Sequence, residues 1–206
     1  MANPRRVAVV VGSLRKGSFN RKLAQAIVAG APPGLALEIV EIRALPLYNM
    51  DDDGDPPPAS KAFKQKIAAA EAVLFVTPEY NRSVPGVLKN AIDIASRPYG
   101  QSAWNGKPAA VISLSPGAIG GFGANHHLRQ SLVFLNMPTL QQPEAYIGGA
   151  ADLFDESGGD QEPGDEAVRR QVPRRVRRLG RADRAEASRL SERPARHARS
   201  RRATSA

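Results

Sequence analysis

The chain has 206 residues, which suits one α/β domain with additional chain beyond it. It contains no cysteine, which excludes disulfides, thiolate metal sites and a cysteine nucleophile. Its formal charge of +9 is unevenly spread: residues 1–158 hold 15 basic and 13 acidic side chains, whereas residues 159–206 hold 14 and 7. The basic character therefore belongs to the C-terminal segment. Three histidines without metal-like spacing give no histidine-built metal site. No apolar run reaches membrane-spanning length, and Met1 to Arg6 lead into a strand-like run without a signal-peptide core. A cytoplasmic protein is expected.

Val7–Val11 is a short β-branched run ending at Gly12, the pattern of a strand buried on both faces of a parallel sheet. A polar loop follows, and then Phe19, Leu23 and Ile27 recur at helical spacing up to Pro32-Pro33-Gly34. Residues 35–40 read as a second strand. The run Asp51-Asp52-Asp53-Gly54-Asp55 reads as a solvated surface loop; it lacks the calcium-loop pattern and its bidentate glutamate. Ser60 is placed as the cap of a helix through Phe63, Ile67 and Ala70. Residues 72–76 form a third apolar strand. Pro85 suits the first turn of the helix carrying Leu88, Ala91, Ile92 and Ala95. Residues 109–114 form the fourth strand. A helix follows through Leu128, Leu132 and Leu135, and a short last strand falls between Pro138 and Tyr146.

Strands alternating with helices predict a doubly wound α/β domain with a parallel sheet. In such sheets ligands bind beyond the carboxyl ends of the strands, where the strand order reverses. Three loops are therefore the candidate site. Loop one, Gly12 to Asn20, joins a buried strand to a helix N-terminus, and Ser13, Arg15, Ser18 and Asn20 give it the donors for a terminal phosphate. It has neither the P-loop nor the dinucleotide spacing; an ordinary polar turn with a serine cap is the alternative. Loop two, Pro78 to Gly86, is long and stiffened by prolines, and Tyr80 offers an aromatic face. It reads equally well as a wall for a flat ligand or as a rigid turn. Loop three, Ser115 to Gly121, is rich in glycine, which permits close approach to a ligand but also suits a plain flexible turn.

Gly12-Ser13-Leu14-Arg15-Lys16-Gly17-Ser18-Phe19-Asn20, then Thr77-Pro78-Glu79-Tyr80-Asn81 with Val84 to Asp93, resemble the NADPH-dependent FMN reductases, a family that includes quinone, chromate and azo-dye reductases. His127 to Gln130 and Pro143-Glu144 extend the resemblance, which runs from about Val7 to about Phe154. It implies a flavodoxin-like five-stranded sheet of order 2-1-3-4-5. It implies that Ser13, Arg15, Ser18 and Asn20 hold the FMN phosphate. Pro78, Glu79, Tyr80 and Asn81 would line the isoalloxazine ring, with Ser115 and Gly117 beside the rest of the flavin.

The activity implied is ping-pong transfer of a hydride from NADPH or NADH through flavin N5 to a quinone or similar small acceptor. No catalytic side chain and no metal ligand is assigned. Glu79 is read as a solvated carboxylate or turn acceptor, His126 and His127 as packing or capping residues, and Trp104 as a packing or interface residue. A homodimer or homotetramer is implied by the resemblance alone.

Two other readings compete. A flavodoxin-type electron carrier would bind FMN without oxidising NAD(P)H; the near-balanced charge of residues 1–158 weakens it, since such carriers are usually acidic. Nucleic-acid binding through the arginine-rich segment is weakened by its interspersed acids and lack of aromatic residues.

From Gly159 onward the chain has no Lys, Ile, Phe, Tyr, Trp or Met. Val168, Val172, Val176 and Leu179 form a thin stripe broken by Pro173, too little apolar surface for a core helix, so residues 159–206 are expected to be an irregular basic tail. The abrupt change near Ser157 points to a shifted reading frame in a GC-rich gene. Sequencing the locus in several isolates tests this: a frame intact through residue 206 in all of them removes the idea.

Overall fold

The computed structural model describes residues 3–154. The expectations for the basic tail therefore lie outside the described residues. Five strands form one sheet: β1 (Arg5–Val11), β2 (Leu35–Val40), β3 (Ala72–Thr77), β4 (Ala109–Leu114) and β5 (Ala145–Ile147). All are parallel, in the order β2-β1-β3-β4-β5 that the resemblance implied. Parallel strands require crossovers, and the helices α1 (Phe19–Ala29), α2 (Pro58–Ala69), α3 (Gly86–Ser96) and α4 (Phe122–Phe134) supply them.

The chain leaves β1 toward one edge of the sheet and leaves β3 toward the other. With right-handed crossovers this puts α1 on one face and α2, α3 and α4 on the opposite face. Two apolar clusters follow from that division. Val7, Val9, Val11, Leu74 and Val76 point toward α1 and its Leu23, Ala24 and Ile27. Ala8, Val10, Val73, Phe75 and Val111 point toward Phe63, Ile67, Leu88, Ile92, Leu128 and Leu132. Successive strand residues thus alternate between two buried faces, which is why β1, β3 and β4 read as unbroken apolar runs.

Trp104 is fully buried in the second cluster. Its ring lies between Phe63 and Phe75, at centroid distances of 6.2 and 5.7 Å, and its indole N–H donates to the Ile92 carbonyl at 2.9 Å. It is a packing residue, one of the two roles expected for it.

Three local expectations are corrected. β1 begins at Arg5, two residues early, because it continues pairing with β2 from Leu35. Ser60 does not cap α2: the helix starts at Pro58, whose missing N–H and fixed φ suit a first helical position, and Ser60 is buried inside the first turns. The acidic run forms a short 3-10 helix, Met50–Gly54, rather than an irregular loop. The Asn49 side chain caps it by accepting from the Asp51 N–H at 3.2 Å, and its three aspartates lie where the positive end of the helix favours them.

Loop three is packed against the neighbouring strand. Gly120 has φ +65°, and a Cβ there would stand 2.6 Å from the Ile147 nitrogen. Gly120→Ala combines a left-handed backbone with a backbone clash, so it should destabilise the fold by about 2–4 kcal/mol. Urea unfolding of the full chain checks this: the midpoint should fall with the slope unchanged, and an unchanged midpoint would mean that loop three does not pack here as described.

Candidate functional site

β1, β3 and β4 end at one edge of the sheet, so loops one, two and three leave it side by side. Loop one is built around Ser18, the N-cap of α1, which is 3% exposed and accepts from the Arg21 N–H at 3.4 Å. Ser13, also buried, accepts from the Arg15 N–H at 3.4 Å. Both hydroxyls thus use acceptor capacity within the loop and leave their hydrogens available to donate. The first N–H groups of α1, which have no carbonyl partner inside the helix, face the same loop.

Arg15 is exposed. Its guanidinium lies 5.2 Å from the Phe19 ring centroid and donates to the Gly17 carbonyl at 3.0 Å. Arg43, from the segment after β2, donates to the Leu14 carbonyl. This second cation beside the loop was not singled out from the sequence, because it lies 29 residues away in an unremarkable stretch.

Asn20 joins loop one to loop three. Its amide N–H donates to the Leu114 carbonyl, at the end of β4, at 3.3 Å. The side chain is 4% exposed, and its Oδ1 is buried without a partner. An unpaired buried acceptor is costly, and a hydroxyl-bearing ligand would satisfy it. The buried hydroxyls and the helix N-terminus as donors, with this acceptor beside them, fit a phosphate carried on a polyol, as FMN carries it.

Loop two contains a tight turn. The Tyr80 N–H donates to the Ser83 carbonyl at 3.1 Å and the Ser83 N–H to the Tyr80 carbonyl at 3.0 Å. Asn81 and Arg82, between them, have φ +52° and +62°, the signature of a two-residue hairpin turn of type I′. Pro78 is buried, whereas Tyr80 and Asn81 are exposed. Glu79 departs from expectation: its carboxylate is neither solvated nor part of its own turn. The side chain is 14% exposed, and Oε2 accepts from the Ala124 N–H of α4 at 2.9 Å.

In loop three the Ser115 hydroxyl accepts from the Gly117 N–H at 3.2 Å, and Gly117 is exposed. The structure therefore gathers all ten candidate residues on three adjoining loops. His127 and His126, expected to pack or cap, are both exposed on α4: His127 Nδ1 lies 2.8 Å from the Ser83 hydroxyl, and His126 Nε2 lies 3.0 Å from the Tyr146 hydroxyl. Burial pushes the Tyr146 phenol up, and hydrogen bonding to Glu144 adds to this, so it stays protonated through the neutral range.

Among the described residues no group of three or more His, Asp or Glu is placed to hold a metal ion, and no helix is long and apolar enough to cross a membrane. A separate shallow cleft lies between residues 46–57, α2 and Arg97, and shares none of the residues of the three loops.

The family model of the NADPH-dependent FMN reductases matches residues 5–152. A quinone reductase of Pseudomonas putida is 71% identical over 153 residues, which are 74% of this chain and 82% of the relative. The solved structure of FerB, a flavoenzyme NAD(P)H:(acceptor) oxidoreductase from Paracoccus denitrificans, superposes with a TM-score of 0.76 at 42% identity, covering 85% of this chain and 94% of that one. A flavodoxin, WrbA-like protein from Agrobacterium tumefaciens, at 16% identity, shares the fold, with a TM-score of 0.54 over 87% of this chain and 99% of that one. With its flavodoxin-like sheet and a match that covers all three loops, the chain belongs to the NADPH-dependent FMN reductase family.

Proposed function

We propose that the protein is an FMN-dependent NAD(P)H:quinone reductase. The observation that carries this reading is the Asn20–Leu114 hydrogen bond, which ties the phosphate-suited loop to the exit of β4, where loop three begins. The 71% identity to a quinone reductase supports the acceptor class. When bound, FMN would accept a hydride from NAD(P)H and pass it to a quinone, which takes one further proton from water and leaves as the quinol.

The chain's own task is to bind and orient. Ser13 and Ser18 would donate their hydroxyl hydrogens to the phosphate, with the N-terminus of α1 behind them, and Arg15 would supply charge at the mouth. Asn20 Oδ1 would accept from a hydroxyl of the ribityl chain. Pro78, Tyr80, Asn81 and the main chain of Glu79 would border the ring, and Ser115 and Gly117 would close its other side. Main-chain N–H groups of loops two and three would stabilise negative charge developing on the pyrimidine end of the ring. No side chain is needed as acid or base, because hydride transfer itself moves no separate proton and the one the quinol requires comes from water. We assign the protein to the cytoplasm, where reduced nicotinamide is available. We propose a homodimer or homotetramer in solution, a reading supported by the exposed apolar side chains Leu47, Met50 and Tyr99.

An absorption spectrum of the purified protein, taken after FMN addition and desalting and again after anaerobic NADPH, tests the reading. A flavin spectrum should be retained and should bleach. Retention without bleaching, with NADH also inert, would leave an electron carrier; absence of flavin would refute the FMN site.

Ser18→Ala removes a hydroxyl donor to a charged phosphate, and FMN affinity should fall about 10- to 100-fold in a flavin-fluorescence titration. The same change removes the cap of α1, at a cost of about 0.5–2 kcal/mol, which urea unfolding of the flavin-free protein measures separately. Unchanged affinity would place the phosphate elsewhere.

A further inference from the structure

Helix α4 begins without a cap of its own. Its N-cap residue is Gly121, in the left-handed region at φ +75°, with no side chain to accept from the first turn. The missing acceptor comes from another loop: Glu79 Oε2 takes the Ala124 N–H at 2.9 Å, the position that an N-cap aspartate or serine side chain would serve. A carboxylate at this end of a helix is also favoured by the helix dipole.

The N-terminal half of α4 touches loop two at two further points. Gly123 lies so close that a Cβ would stand 2.9 Å from both the Arg82 carbonyl oxygen and Glu79 Oε2. One turn further on, His127 Nδ1 reaches the Ser83 hydroxyl at 2.8 Å. Between these contacts sits the turn Asn81-Arg82, both residues at positive φ. Arginine gains nothing from that conformation, so an isolated loop of this sequence would leave it. The Arg82 guanidinium, 3.7 Å from Glu79 Oε1, adds a weak and mostly exposed ion pair.

We propose that Glu79 is a positioning residue: by capping α4 across the chain, its carboxylate clamps the Tyr80–Ser83 turn in the shape that presents loop two to the flavin ring. The residue acts through α4 and not by contact with the ligand. This inference rests on the FMN reading for its functional consequence, whereas the clamp itself is a property of the flavin-free chain.

The test compares Glu79→Ala with Glu79→Gln in the full-length protein, by amide hydrogen exchange without flavin and by FMN fluorescence titration. Glutamine keeps an oxygen that can accept from Ala124, whereas alanine does not. In Glu79→Ala the Ala124 amide and the amides of residues 80–83 should lose protection, and the FMN dissociation constant should rise about 10- to 100-fold. In Glu79→Gln protection should persist, and the constant should stay within about fivefold of the parent, the loss being that of a charge at a helix end.

Equal weakening of both variants with protection retained would mean that the carboxylate charge acts on the ligand directly, and the clamp would be refuted. Unchanged exchange at Ala124 in Glu79→Ala would refute it as well. If the parent protein bound no FMN, the functional reading would fail, while the exchange comparison would still decide whether Glu79 holds the turn.

Discussion

A parallel sheet cannot be wound by short hairpins; each strand must be followed by a crossover that returns the chain to the starting edge. The whole molecule depends on that constraint. It sends β1, β3 and β4 out of the same edge and requires a loop and a helix start after each. Because β1 continues toward β2 and β3 toward β4, the loops after them diverge above the middle of the sheet, the place where such sheets bind ligands. Ser18, Glu79 and Gly120 lie far apart in sequence, yet one topological rule sets them around one opening.

Topology alone leaves the loops near each other but free to move, and a few polar bonds remove that freedom. Asn20 fastens loop one to the end of β4, and Glu79 fastens loop two to α4. Loop three is held by backbone, with the Ser115 N–H donating to Ile147 and its carbonyl accepting from Ala150. Each of these is a single hydrogen bond of modest net worth, about 1 kcal/mol in a neutral pair. They matter because each ties a loop to an element remote from it in sequence. Behind them, the packed Phe63–Trp104–Phe75 cluster keeps α2 and the central strands from shifting relative to each other. A rim assembled in this way before a ligand arrives loses little further entropy on binding.

Much of this was legible in the sequence, and for a physical reason. A strand buried on both faces must be apolar at every position, so β1, β3 and β4 announce themselves as unbroken runs, and the loops are what remains between them. Loop one was legible because hydroxyl and amide side chains crowd a helix start. Ser60 misled because serine before an apolar periodicity is a capping signal, and the preceding prolines that start α2 earlier carry a competing one. The acidic run misled because it looks like solvated charge, while Asn49 turns it into a capped helical turn. Glu79 was beyond reach altogether. Its partner is an N–H 45 residues away, and a helix lacking its own cap leaves no mark in the sequence except a glycine.

The destination of that one carboxylate also resolves an electrostatic conflict. The three loops together hold a single acidic side chain, Glu79, on a rim that carries Arg15, Lys16 and Arg82 and has Arg43 alongside. A carboxylate turned outward there would repel the phosphates of a flavin nucleotide and of a nicotinamide co-substrate alike. Turned onto α4 and mostly withdrawn from solvent, it meets the positive end of a helix instead, with Arg82 beside it. The field at the mouth is left to the arginines and to the N-terminus of α1, which is the sign an anionic ligand needs. The bond that shapes loop two thus also clears negative charge from the opening, so a single side-chain orientation serves both the geometry and the electrostatics of the rim.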